Sequence, residues 1–126
     1  MTCFTRWAGA AIAATAFVTI TTPAMGQTAA PPAFAACKAC HTVEKGARSG
    51  IGPNLHGVAG RDAASVPGFR YSTALKNSKL TWDDASLDAF IAAPTKKVPG
   101  TRMPIGMADP KKRAAIIAYL KKAGAQ

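Results

Sequence analysis

Two thiols and an imidazole stand together in Cys37-Lys38-Ala39-Cys40-His41. The spacing puts the cysteines one helical turn apart, so that each thiol can add to one vinyl group of a haem and form a thioether. The adjoining histidine then lies beneath the iron as an axial ligand, and this pentapeptide pattern is that of c-type haem attachment. Three other chemistries compete for a pair of cysteines so spaced. A thioredoxin-like dithiol needs a strand-helix-strand setting, which the flanking sequence lacks. A structural zinc site takes four ligands, usually in two pairs. Beyond the cysteines, residues 27–126 offer only His41 and His56, and adjacent Cys40 and His41 seldom share one metal. A disulfide across two residues closes too short a loop to stabilise much. Haem attachment uses both thiols and the imidazole.

These residues need a compartment and an interior. Residues 1–26 read as a secretory signal: Arg6 is the positive start, 7–22 form an apolar run, and Ala24-Met25-Gly26 supply a small-residue cleavage site before Gln27. Thr15, Thr19, Thr21 and Thr22 break the run, and no stop-transfer charges follow it, so a spanning helix fits less well. An uncleaved anchor is the alternative. Export to a bacterial periplasm is the expectation, with Cys3 lost and Cys37 and Cys40 retained. The remainder, 27–126, is one small domain. A chain of that size buries only a thin core, which an enclosed apolar cofactor would complete. Sixteen Lys and Arg against six Asp and Glu give a net charge of +10. The excess bears on partners rather than on fold. Nucleic acid is excluded by export and by the lack of a nucleic-acid-binding motif; acidic protein surfaces or an anionic membrane face fit better.

The elements that must position the site follow from local signals. Residues 33–40 form a brief helix carrying Phe34, and 42–65, rich in Gly and polar residues, form a long irregular stretch of the kind that wraps a ligand. A short helix is expected over 71–79. Asp83 or Asp84 caps another, running through Leu87, Phe90 and Ile91 to a stop before Pro94. Residues 95–108, dense in Pro and Gly, form an extended loop. Asp109-Pro110 starts the last helix, whose apolar side is Ile116, Ile117, Tyr119 and Leu120; Lys121 and Lys122 suit its end, and Gly124 its stop. No strand, repeat or second domain is expected. The fold class is all-α with long loops.

Gly52-Pro53-Asn54-Leu55-His56-Gly57, Pro67-Gly68-Phe69, Pro99-Gly100-Thr101-Arg102-Met103 and Ile117-Ala118-Tyr119-Leu120-Lys121-Lys122 follow the haem motif in order. Together they resemble class I cytochrome c over 34–123. The resemblance implies four to five short helices wrapped around one haem c, held by two thioethers. By residue type alone, Met103 and Met107 are equal candidates for a second axial ligand; the resemblance selects Met103. It also implies that the Pro53 carbonyl accepts a hydrogen bond from the free ring nitrogen of His41. Arg61, Tyr71, Trp82 and Thr101 match positions that surround the haem propionates. His56 matches a histidine that bonds backbone and staples a loop, and Phe34 with Ile116, Tyr119 and Leu120 matches the contact between first and last helices. There are two departures. Phe90 stands where many relatives have Tyr, and the segment before Cys37 is short, leaving about two turns for the first helix.

With His41 and Met103 both bound, the resemblance implies no open iron position, hence outer-sphere transfer of one electron per cycle and no enzymatic activity. Lys38, Lys45, Arg48, Lys96, Lys97 and Arg102 lie in or near the haem-binding segments. A basic ring there would steer encounters with acidic faces of membrane cytochrome complexes, oxidases or periplasmic dehydrogenases. The carrier is expected to be a monomer that touches membranes only transiently once its signal is removed. A haem enzyme or gas-binding protein would need a distal acid-base group, and no histidine remains after His41 and His56. A dedicated subunit of one oxidase or dehydrogenase would differ in partner rather than in chemistry.

Overall fold

The computed structural model describes residues 29–126. The segment 1–26 read as a signal lies outside the described residues. A 3₁₀ turn (Pro32–Phe34) leads into α1 (Ala35–Lys38), followed by α2 (Thr73–Asn77), α3 (Asp84–Ala92), α4 (Pro94–Lys97) and α5 (Pro110–Ala123). The only β pairing among the described residues is an isolated bridge between Asp62 and Thr81. The all-α expectation stands, and none of these helices is long and apolar enough to cross a membrane.

α3 and α5 form the frame. The Asp109 carboxylate accepts from the amides of Lys111 and Lys112, with Pro110 in the first turn, satisfying donors that have no helical partner. Asp83 does the same for α3, accepting from Ser86 N–H at 2.7 Å. Leu87 and Phe90 of α3 and Ile116, Ile117 and Leu120 of α5 turn inward. The 3₁₀ turn and α1 make up the expected two turns, and Phe34, fully buried, meets Tyr119 with ring centroids 4.7 Å apart. First and last elements thus close on each other.

Three local expectations change. α2 is shorter than 71–79, because the Ser72 hydroxyl caps it by accepting from Leu75 N–H and Lys79, at φ +51°, lies outside helical space. The loop after α3 begins with a helical turn, α4: once Ala93 (φ −153°) has broken α3, Pro94 is suited to a first helical position. The staple of the long 42–65 stretch is Asn54. Its buried amide donates to the carbonyls of Glu44 (2.9 Å) and Ala47 (2.7 Å), while its Oδ1 accepts from His56 N–H (2.7 Å). His56 takes part through its backbone.

Candidate haem-binding site

α1 presents the Cys37 thiol and the turn that follows it presents that of Cys40. Amides of Cys40 and His41 both donate to the Cys37 carbonyl, at 3.1 and 2.9 Å. Neither cysteine is in a disulfide, and burial pushes the Cys37 thiol up. Gly52 N–H donates to the Cys40 carbonyl at 2.8 Å, drawing residues 51–53 against the imidazole. A Cβ on Gly52 would lie 2.4 Å from Cε1 of His41, so only glycine permits this approach. The next carbonyl, of Pro53, accepts from His41 Nδ1–H at 2.7 Å. That bond fixes ring orientation and tautomer, and it leaves the Nε2 lone pair to bind a metal.

Cys37, Cys40, His41, Pro53, Arg61, Tyr71, Trp82, Thr101 and Met103, singled out from sequence, all line one cavity of ≈ 470 Å³. Its walls are mostly apolar, with Leu55, Val58, Leu87 and Leu120 among them. Trp82 packs on Phe90, centroids 5.0 Å apart, so the ring replacing a tyrosine is part of the wall. Met107 lines the cavity alongside Met103, and both are half-buried.

The polar contribution is small and specific. Arg61 donates through Nη1 to the His56 carbonyl (2.8 Å) and through Nη2 to that of Asn54 (3.1 Å). Its Nε is buried with no partner among the described residues, and burial lowers the guanidinium pKa. Tyr71 Oη accepts from Val66 N–H at 3.2 Å, keeping its own proton to donate; burial raises its pKa. Thr101 Oγ1 accepts a long bond from Met103 N–H, 3.4 Å. An unpaired buried donor costs free energy unless an acceptor meets it. An apolar slot with an orphaned guanidinium nitrogen, an available phenol proton and a tautomer-locked imidazole fits a flat apolar macrocycle bearing carboxylates. Among the described residues no group of three or more His, Cys, Asp or Glu could hold a metal, so the zinc reading lacks its ligand set.

Gly52, Asn54 and Met107 belong to the site's support and were not assigned those roles from sequence. Both Gly52 and Asn54 lie within the 52–57 motif, yet the reason for Gly52 appears only with the imidazole in place, and that for Asn54 only with the carbonyls of Glu44 and Ala47.

Fold and site define a class first: a small all-helical protein built around one covalently attached haem. A sequence profile described as Cytochrome c matches residues 25–124. Cytochrome c2 of Rhodoblastus acidophilus is 50% identical over 90 residues, covering 71% of this chain and 84% of that protein. Cytochrome c2 iso-2 of Magnetospirillum fulvum is 48% identical over 93 residues, covering 73% and 96%. Among solved structures, cytochrome cH from Methylobacterium extorquens superposes with a TM-score of 0.67 at 53% identity, covering 71% of this chain and 91% of that one. The chain belongs to the cytochrome c family. It is an electron carrier rather than an enzyme, its cofactor is covalently attached haem c, and Cys37 and Cys40 fit the attachment motif.

Proposed function

We propose that this cytochrome is exported to the periplasm and carries single electrons on a haem ligated by His41 and Met103. The observation that carries the reading is the imidazole locked by Pro53 at 2.7 Å, facing the cavity that Met103 also lines. When bound, the haem supplies a one-electron ferrous/ferric couple. The chain's residues do the rest. His41 is held in the tautomer that donates from Nε2, and the Met103 thioether suits a soft, electron-rich centre. Arg61, Tyr71, Trp82 and Thr101 supply partners for buried carboxylates. The apolar walls exclude water and limit solvent reorganisation.

The partner surface surrounds the cavity mouth. Ile51 and Ile105, 82% and 66% exposed, both line the cavity from separate loops, and are therefore rim residues. Every charged side chain lining the cavity is cationic: Arg61, Arg70 and Arg102. An apolar spot edged by arginines fits redox proteins with acidic docking faces, such as membrane cytochrome complexes, oxidases or periplasmic dehydrogenases. A monomer docking transiently suits that role.

The test is the absorption spectrum of protein expressed with the cytochrome c maturation machinery. Covalently retained haem and a weak ferric sulfur-to-iron charge-transfer band are expected. Met103→Ala abolishes the band and Met107→Ala leaves it. Retained haem without the band would overturn the ligand assignment in favour of an open or differently ligated iron. Export is tested separately: the secreted chain should begin at Gln27, and a retained 1–26 segment would overturn cleavage.

A further inference from the structure

The loop carrying Met103 has little structure of its own, and its downstream end is tied to two helices by one side chain. Arg113, on the first turns of α5, uses all three guanidinium nitrogens. Nε donates to Asp88 Oδ1 at 2.7 Å and Nη2 to Oδ2 at 3.4 Å, joining α5 to α3. Nη1 donates to the carbonyls of Met107 (3.0 Å) and Ala108 (2.7 Å). Met107 N–H donates in turn to the Ile91 carbonyl at 2.8 Å. Gly106 passes so close to the end of α3 that a Cβ there would lie 2.6 Å from the Ala92 carbonyl oxygen. Between these ties and Arg102, which donates to the Arg70 carbonyl at 3.2 Å, residues 104–106 are exposed.

We propose that the Asp88–Arg113 pair is a positioning device for the Met103 loop, holding the thioether at the haem by fixing the Met107 and Ala108 carbonyls. The proposal rests on Met103 being the ligand. A guanidinium is a rigid planar fork. Gripping one edge with a carboxylate aims the other at two carbonyls, which no lysine can reproduce. As a contribution to global stability, an ion pair whose carboxylate is 46% exposed counts for little. Its effect is local, on the fraction of time the loop stands away from the haem.

Imidazole binding to the ferric protein reads that fraction, because an added ligand enters only where the loop has opened, and its apparent affinity scales with the open population. Asp88→Asn and Arg113→Lys are expected to tighten imidazole binding by about five- to tenfold and to weaken the charge-transfer band. Asp84→Asn is the control. It breaks the Lys121–Asp84 pair (2.8 Å), which joins the same two helices without touching the loop, and should leave imidazole affinity within about twofold. Thermal unfolding is followed in parallel. Unchanged affinity in both clamp variants would overturn the proposal, as would an equal shift in Asp84→Asn, which would show general loosening of the helix pair. Survival of the band in Met103→Ala would instead remove the ligand reading, and the positioning role with it.

Discussion

A methyl group at position 52 would have to share space with the His41 ring, 2.4 Å from Cε1. The imidazole cannot retreat without stretching its bond to the Pro53 carbonyl, so orientation and tautomer depend on the absence of one carbon atom. Gly52→Ala should therefore destabilise the protein by about 2 kcal/mol, as overpacking does, and lower the yield of correctly ligated haem protein. Denaturant unfolding and the charge-transfer band measure the two effects. An unchanged midpoint would mean that the strap 51–53 can move aside freely. Arg61 illustrates the opposite problem, a buried donor without a partner: its Nε is unpaired while each terminal nitrogen donates to one backbone carbonyl. That combination holds the guanidinium in place whether or not a carboxylate arrives.

Helix α3 depends on Asp83 at its start. The Ser86 backbone N–H, and to a lesser degree its hydroxyl, hold the Asp83 carboxyl below the usual carboxylate range. A depressed folded pKa gives stability that is present above the unfolded value and is lost as pH falls through the folded one. Asp83→Asn keeps an acceptor but removes the charge, so it should lower the melting temperature at neutral pH. The gap to the parent should narrow as pH drops below the carboxylate range. A gap independent of pH would assign the cap to hydrogen bonding alone. Local capping also explains which elements were legible in the sequence. α3 and α5 announce themselves through Asp83 and Asp109-Pro110, whose partners lie within three residues. α4 did not, because its start depends on how Ala93 breaks the preceding helix. The cavity-lining residues singled out in the sequence came from the haem motif and from resemblance to a family, not from local signals. Arg113 was not singled out, since its roles become visible only when residues 25 positions away, at Asp88, fold against it. His56 and Asn54 show the same limit within a motif: the staple was foreseen, but the side chain that makes it was not.

For the molecule as a whole, the excess of Lys and Arg over Asp and Glu, +10 in the full chain and +9 over 27–126 (15 − 6), sets the conditions of encounter. Electron exchange with an acidic redox partner should slow as ionic strength rises, because screening shortens the reach of charge to about 8 Å at 0.15 M. Arg102→Gln, at the rim, should flatten that salt dependence. Ile105→Ser should leave the slope and lower the rate at every ionic strength, because it removes an apolar contact. Stopped-flow rates over a salt series separate the two, and a slope that is unchanged by Arg102→Gln would move the docking face away from the cavity mouth.

The cavity is lined from Ala36 to Leu120, almost the whole described chain, so its occupant is shared by nearly every element. An occupant held only by affinity would stabilise such a fold in proportion to the logarithm of its free concentration, and dilution would unfold protein and empty cavity together. Covalent attachment of the haem makes occupancy an intramolecular matter, set by an effective concentration that dilution does not change. A carrier so built can be scarce, can leave one partner before it meets the next, and still arrives with its interior complete.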